Sequence, residues 1–389
     1  MTAWIVGAGL AGAACAFELR RHDVHCHLFE REDRWGGLVR STRTDGVIHE
    51  PNGTHVFHTD DEEVWNLVTA LVPFNGYEHR VQTMVRDELL TWPIQEQEIR
   101  RTYGDRVADQ LYPDYEPSAP EGLNFEKWCL LIMPREVYDD FVRPYTEKQW
   151  GRPASELSAS FAPKRVQVRT DGNDRLFRDR FQGFPDGRLE FSYEDVLREL
   201  IGSAKVHLDV RCTLTGTVAL LRSYPAPWRP DFVVITAPLD DFCDGALGEL
   251  EWRGLTFAHR WIDVPEDGFA QQRTVVNYPG KDFPWIRIHE TKRASGQVVR
   301  GTVLTTEFPG GPGRMYPVPG HDGRNRKLND DYKQLVRETI EALGPRVAFV
   351  GRLAHHVYAD QDDVIRQALD AVRGLVAGEI VETMAAMGA

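Results

Sequence analysis

Two short apolar runs bracket a glycine-rich turn at the start of the chain. Residues 3–6 (Ala-Trp-Ile-Val) read as a buried strand, and Gly7-Ala8-Gly9-Leu10-Ala11-Gly12 as a turn. Ala14 to Leu19 follows at helical spacing, and Val24 to Phe29 is a second strand ending at Glu30. Apolar runs of strand length on either side of a helix-period segment predict a β–α–β unit. Further on, residues 62–72 look helical, Val81 to Pro93 strand-like and Gln95 to Leu111 helical. A polar, proline-rich stretch from Tyr112 to Asn124 breaks the pattern and reads as loop, and Phe125 to Trp150 as a small aromatic helical insertion. Phe161 to about Phe191 is dense in arginine and glycine, Phe232 to Ala237 is a buried strand, and strand-like runs alternate with turns from about Leu255 to Val318. The chain closes with a helix (Tyr332 to Leu343), a strand (Arg346 to Val350) and a helix from about Asp360 to Val376. The only low-complexity hint is the Gly/Pro patch Pro309 to Gly313, and no repeat is visible.

The α/β signals at both ends and in the middle predict a mixed α/β (α+β) chain. Its expected parts are a discontinuous Rossmann-like dinucleotide-binding domain (1–75, 192–250 and 325–389), a helical insertion (94–155) and an antiparallel sheet domain (76–93, 156–191 and 251–324). A length of 389 residues suits two or three such domains. No apolar run approaches the roughly 18 residues of a membrane span, so no membrane partner is expected. The 46 Lys+Arg against 59 Asp+Glu give a net charge of −13, which disfavours nucleic acid as a partner. Residues 164–188 run against that trend, with seven Lys/Arg and four Asp, so the acidic balance does not forbid a small anionic ligand held in a basic cleft there. Five scattered cysteines without a C-x-x-C pair exclude a disulfide scaffold or Cys-rich zinc site. With no secretory signal visible, the expected compartment is cytoplasmic.

Gly7, Gly9 and Gly12 carry the first chemical signature. The first permits a tight turn, the second lets the backbone approach a pyrophosphate, and the third allows close helix–strand packing. Glu30, closing the second strand, can accept hydrogen bonds from adenosine ribose hydroxyls. The pair Gly36-Gly37 just past the acid, and Gly351-Arg352 after a late strand, favour FAD over NAD, although an ordinary loop turn explains Gly36-Gly37 equally well.

Several motifs, in order, resemble the flavin-dependent UDP-galactopyranose mutase family almost end to end. They are the glycine fingerprint, Glu30-Arg31 with Gly36-Gly37, Gly53-Thr54-His55-Val56-Phe57-His58-Thr59, and Tyr77-Glu78-His79-Arg80-Val81. Phe141 to Trp150 with its Tyr145-Thr146-x-Lys148-Gln149-Trp150, Asn277-Tyr278 with Arg287 to Glu290, Tyr316-Pro317, and Gly351-Arg352-Leu353 with Tyr358-x-Asp360 complete the set. The resemblance implies FAD as cofactor and covalent catalysis by the reduced flavin at an anomeric carbon. The sugar ring then contracts and recloses, with no net redox change. It assigns Arg165 and Arg287 to the departing diphosphate, with Lys164 and Arg169 as alternatives to Arg165. Tyr316 and Tyr358 fall beside that diphosphate, Phe141 and Tyr145 around the base, Trp150 at the sugar, and Asn277 in the substrate site. His55, Arg31, Leu38, Arg352 and Asp360 fall on the flavin side. Phe141 and Tyr145, four apart on one helix face, fit a packed core as well, and Asp360 fits an ordinary N-cap.

Leu38 stands where the family carries Asn, Leu176 replaces a tyrosine near the diphosphate, and Ala359-Asp360-Gln361-Asp362-Asp363 is unusually acidic. These departures suggest a branch acting on another sugar nucleotide, such as a GDP-linked hexose of a nucleoside-antibiotic pathway. The expected enzyme is thus an isomerase with a nucleotide-sugar substrate, a homodimer being the assembly to test. No metal site is expected. The competing readings are an amine-oxidase or desaturase-like flavoprotein, a nucleotide-sugar-binding protein without catalysis, and a divalent metal held by His355-His356 with the acidic cluster.

Overall fold

A computed structural model describes residues 1–111, 122–160 and 166–378. Its first sheet has five parallel strands, in the order Lys205–His207, His25–Phe29, Thr2–Val6, Phe232–Ile235 and Arg346–Phe349. Central strands of such a sheet are covered on both faces, which explains their unbroken apolar runs. Ile5 lies in register between Leu28 and Val234, and none of the three is exposed at all. That face packs with the helices Leu10–Arg21 and Gln361–Ala377. Trp4, Val6, Val233 and Ile235 point the other way, onto Tyr332, Val336 and Ile340 of the helix Arg324–Glu341. This helix starts eight residues earlier than its apolar spacing announces, because its first turns are polar and their buried positions are Asn325 and Asn329. Buried Glu18 accepts from Arg373 at 2.8 Å and Arg21 at 3.0 Å, tying the first helix to the last described one.

The second sheet has six strands, in the order Trp252–Ile262, Thr302–Pro317, Arg287–His289, Val275–Asn277, Val81–Val85 and Glu88–Trp92. Its pairings are antiparallel except one. Val275–Asn277 runs parallel to Val81–Val85, a junction open to segments so distant in sequence that no hairpin constrains them. The Gly/Pro patch is part of a strand. Pro309 to Gly313 lies inside the long strand Thr302–Pro317, where the register slips on either side of Gly254. A Cβ on Gly254 would come within 1.9 Å of the Gly311 carbonyl oxygen, so the backbones cross where only glycine fits. Lys292, fully buried beside this sheet, gives its ammonium to the carbonyls of Gly268, Val299 and Gly301 at 2.6–3.0 Å and of Pro265 at 3.4 Å.

A helical layer packs on the six-stranded sheet. Glu96–Tyr103 and Phe125–Ile132 precede a π-helical turn, Tyr138–Val142, which runs into the helix Arg143–Trp150. Phe125, Trp128, Tyr138 and Phe141 form its core. Among the described residues no helix is long and apolar enough to cross a membrane.

Candidate active site

The loops at the carboxyl end of the parallel sheet touch one another in a closed series. Gly7 turns the chain at φ +102°, its N–H donating to Phe29 O at 2.8 Å. A Cβ there would strike Thr236 Oγ1 at 2.3 Å, and one on Gly12 would strike the Gly7 oxygen at 2.0 Å. Gly9 caps the first helix without any side-chain hydrogen bond and no acid sits in its first turn, so this helix end suits an anion. Gly36 donates to Ala8 O at 2.9 Å, and a Cβ on Gly37 would lie 3.2 Å from Gly9 Cα. The Leu38 carbonyl accepts from Asn52 at 3.1 Å, the His55 carbonyl from Gln361 at 3.4 Å, and Gly351 packs against Ala11. Glu30 accepts the Ala8 N–H at 2.9 Å and the Glu32 N–H at 3.1 Å, and its two oxygens retain further acceptor capacity. Arg31 is half exposed and pairs with Glu32 and Asp241 at 3.2 and 3.3 Å.

His55 stands above a buried acid. Its N–H donates to Glu50 Oε2 at 2.7 Å, and its Nδ1 lies 3.4 Å from Glu50 Oε1. Glu50 is 0% exposed, and burial raises its carboxyl pKa, only partly offset by His55. Asp360 caps the last described helix through a capping box with Asp363, and its Oδ2 is 3.9 Å from His58 Nε2. Beside it, Asp362 is pushed up to about 6 by burial and by the charge of Asp363.

On the face of the six-stranded sheet, Arg287 and Asn277 are register partners, and Asn277 reaches Thr83 at 3.4 Å. Arg287 Nε lies 3.0 Å from Glu307 Oε2, Nη2 reaches Gln149 at 3.5 Å, and the guanidinium carbon sits 5.9 Å from the Tyr145 ring centre. Burial opposes the Arg287 charge, but Glu307 and the nearby tyrosines outweigh it and raise its pKa. Burial likewise raises Glu307, while Arg287 and His289 more than compensate and hold it below the usual carboxylate range. Tyr316 and Tyr358 stack at 5.9 Å with 6° between planes, Trp150 meets Tyr316 edge-on at 6.1 Å, and Arg352 covers both tyrosines at 5.3 and 4.8 Å. Arg352 also donates to the Ala359 carbonyl at 2.8 Å, so it joins the loops at the carboxyl end of the parallel sheet to these aromatics.

Not every expected residue joins this group. Phe141 is 2% exposed and stacks on Trp92 inside the helical layer, whereas Tyr145 faces Arg287. The π-helical turn changes the register between them, so the four-residue spacing does not put them on one face. Arg165 and Lys164 lie outside the described residues. Arg169, their alternative, is 1% exposed and spent on Gln167 and the carbonyls of Asn173, Arg175 and Leu176. The expected basic cleft is largely neutralised: Arg175, Arg178, Arg180 and Arg188 pair with Glu78, Asp171, Glu62 and Asp186. His355 and His356 bond to the Phe349 and Glu251 carbonyls, both at 2.9 Å, and do not converge on the acidic cluster.

Residues 140–358 match the UDP-galactopyranose mutase family, more than half of the chain. The chain belongs to the UDP-galactopyranose mutase family. Residues 5–71 also match an NAD(P)-binding Rossmann-like domain. A probable UDP-galactopyranose mutase of Klebsiella pneumoniae is 29% identical over 94% of this chain and 92% of its own length. The dTDP-fucopyranose mutase of Escherichia coli is 26% identical over 94% and 96%. A crystal structure of reduced UDP-galactopyranose mutase shares the fold, with TM-score 0.77 at 17% identity, covering 100% of this chain and 98% of that one. As a member of this mutase family the chain is an isomerase of nucleotide sugars, and its cofactor is FAD. The uncapped helix end and the close backbone packing at Gly7, Gly12 and Gly37, where a Cβ would press on a neighbour, fit that dinucleotide.

Sequence reasoning missed Glu307, Glu50, Gln149 and Lys148 as functional candidates. Glu307 was detectable as a lone charge within the strand-like Val303 to Phe308, and Glu50 as an acid ending Val47-Ile48-His49. Lys148 gives its ammonium to the Tyr278, Gly280, Phe283 and Trp285 carbonyls at 2.6–3.1 Å, fixing the turn between Asn277 and Arg287. No sequence pattern announces such a cage.

Proposed function

We propose that this mutase interconverts the pyranose and furanose forms of a hexose carried on a nucleoside diphosphate, with Arg287 receiving the diphosphate. The observation that carries the reading is the anchored guanidinium. Glu307 pairs with Nε at 3.0 Å, Nη2 reaches Gln149 at 3.5 Å, and the guanidinium carbon lies 5.9 Å from the Tyr145 ring centre. A permanently charged, planar fork held in this way suits a leaving group whose charge grows as the anomeric bond breaks. Tyr316, Tyr358 and Trp150 supply aromatic faces beside it for the sugar and diphosphate, and Asn277 a polar edge. Arg165 is proposed as the second diphosphate arginine on sequence grounds.

On the cofactor side, Gly7, Gly9, Gly12, Gly36, Gly37 and Leu38 would hold the FAD pyrophosphate and its surroundings, with Glu30 at the ribose. Bound in its reduced form, FAD supplies the nucleophile for the anomeric carbon. His55, held on Glu50, and Arg352, laid across the two tyrosines, would border the flavin from opposite sides. Asp360 orients the last helix toward His58. Phe141 supports the helical layer behind the base.

The finer substrate reading is a GDP-linked hexose, motivated by Leu38, Leu176 and the acidic run at 359–363. The names of the two relatives above carry UDP and dTDP. The deciding experiment therefore offers UDP-, dTDP- and GDP-hexoses to the protein with and without dithionite and separates the products by chromatography. Interconversion of any of them supports the mutase reading. No isomerisation of any of them in either redox state sinks it.

A further inference from the structure

Thr54 and Arg287 belong to different halves of the site, yet one buried side chain touches both systems. The backbone N–H of Thr54 donates to His289 Nδ1 at 3.1 Å, and His289 Nε2 lies 3.1 Å from Glu307 Oε2. The same carboxylate oxygen holds Arg287 Nε at 3.0 Å. A backbone N–H can only donate, so His289 Nδ1 must be the unprotonated nitrogen and Nε2–H must donate to Glu307. The ring is therefore neutral and fixed in one tautomer by bonds at both ends. Burial, which lowers the His289 pKa against the pull of Glu307, agrees with that state. Gly53 confirms how closely the loop rides on the ring: at φ +89°, a Cβ on it would lie 3.1 Å from His289 Cε1 and Nε2. A second contact, Thr54 Oγ1 to Thr291 Oγ1 at 2.9 Å, pins the same loop to the next element. One residue further along is His55, held on Glu50.

We propose that His289 is a positioning residue that couples the loop Gly53 to His55, on the cofactor side, to Arg287 on the substrate side through Glu307. Any movement of Arg287 onto a diphosphate pulls on Glu307, and Glu307 can follow only by carrying His289 and the Thr54 backbone with it. Thermodynamic linkage makes this reciprocal: a change of flavin state that shifts the loop alters diphosphate affinity, and diphosphate binding alters the loop. The inference rests on the reading of Arg287 as the diphosphate residue.

The test measures the dissociation constant of a nucleoside diphosphate by equilibrium dialysis, using flavin-loaded protein in the oxidised and the dithionite-reduced state. The probe is whichever of UDP, dTDP and GDP the wild type binds most tightly. The wild type is expected to show a ratio between the two states of at least about fivefold, the lower end of ordinary site–site coupling. In His289→Phe, which keeps the ring volume and loses both bonds, the ratio should fall to within about twofold of unity while flavin content stays at the wild-type level. His289→Gln can still reach Glu307 but offers no ring nitrogen to Thr54, and should also lose the ratio. Gly53→Ala, which presses on the ring from the loop side, should do the same. A wild type without a ratio, or a flavin-replete His289 variant that keeps it, overturns the relay. Arg287→Ala separates the two claims: unchanged nucleotide binding in that variant removes the diphosphate reading itself. Lost binding there, with the ratio intact in His289→Phe, removes only the relay.

Discussion

At the carboxyl end of the parallel sheet the proposed cradle is made of backbone: glycines with no Cβ, a bare helix N-terminus, and loops that touch through carbonyls and N–H groups. On the six-stranded sheet the cradle is made of side chains: Arg287 on Glu307, Tyr316 on Tyr358, Arg352 across both, and Lys148 in a cage of carbonyls. The difference shows in how each can be damaged. A backbone cradle has no side chain to delete, so it fails only by steric intrusion, and then as a whole. A side-chain cradle loses one contact at a time, and the remaining partners stay behind with their charges uncompensated.

Gly12→Val should therefore produce the largest effect. Its Cβ begins 2.0 Å from the Gly7 oxygen, so helix and turn cannot coexist. The expected cost exceeds the roughly 1–3 kcal/mol of ordinary overpacking, with loss of flavin absorbance and of cooperative thermal unfolding. A flavin-replete, wild-type-like variant would break the comparison on its backbone side. Arg287→Ala comes next, with a fall in kcat of about 10²–10³-fold, the scale of removing one charge-stabilising donor, and flavin content retained. A fall in flavin content equal to the loss of turnover would show that the two halves are not separable in this way.

Acid probes both halves at once. His79, beside the second sheet, and His355, behind the first, are each pushed by burial from near 6.5 down to about 3. The unfolded chain binds protons at these positions below pH 6.5 and the folded chain does not. Their contribution to stability is thus present above pH 6.5 and lost as pH falls toward 3. Urea unfolding between pH 7 and 4.5 should show this decline, and His79→Phe should flatten it. Asp362 acts in the opposite sense, since its raised carboxyl favours the folded state as pH falls through about 6. The smallest effect is expected from Lys148→Met: removing an ammonium held by backbone carbonyls should raise KM by about tenfold through a looser turn between Asn277 and Arg287. Lys148→Arg cannot fit four converging carbonyls and should not rescue it, which steady-state kinetics would show.

Much of the backbone half was legible in the sequence. Gly7, Gly9, Gly12 and Glu30 are local in the chain, and their spacing carries the geometry with it. In the side-chain half Arg287, Tyr316 and Tyr358 were legible only by family resemblance and Glu307 and Gln149 not at all, because they meet through contacts between distant segments, such as the register pair Arg287–Glu307, that periodicity does not encode. The parallel junction between Val275–Asn277 and Val81–Val85 is another such contact. Pro309 to Gly313 showed in the sequence only as a low-complexity patch; these residues lie inside a strand, where Gly254 on the partner leaves them room. The charge count of residues 164–188 misled because it could not see Glu78 and Glu62, which come from elsewhere to pair with Arg175 and Arg180.

Two lysines in this molecule have withdrawn from solution chemistry. With its three protons shared among four carbonyl oxygens, the Lys292 ammonium has no lone pair to offer an electrophile, and Lys148 is held in the same way. An acylating reagent should modify the exposed Lys281 at once and reach Lys292 only after the chain around it has opened. Acylation of Lys148 would mark the narrower event, release of the turn ahead of Arg287 while the rest of the protein stays folded. Timed labelling read by mass spectrometry would thus turn two structural cations into separate clocks, one for global unfolding and one for the opening of the turn ahead of Arg287.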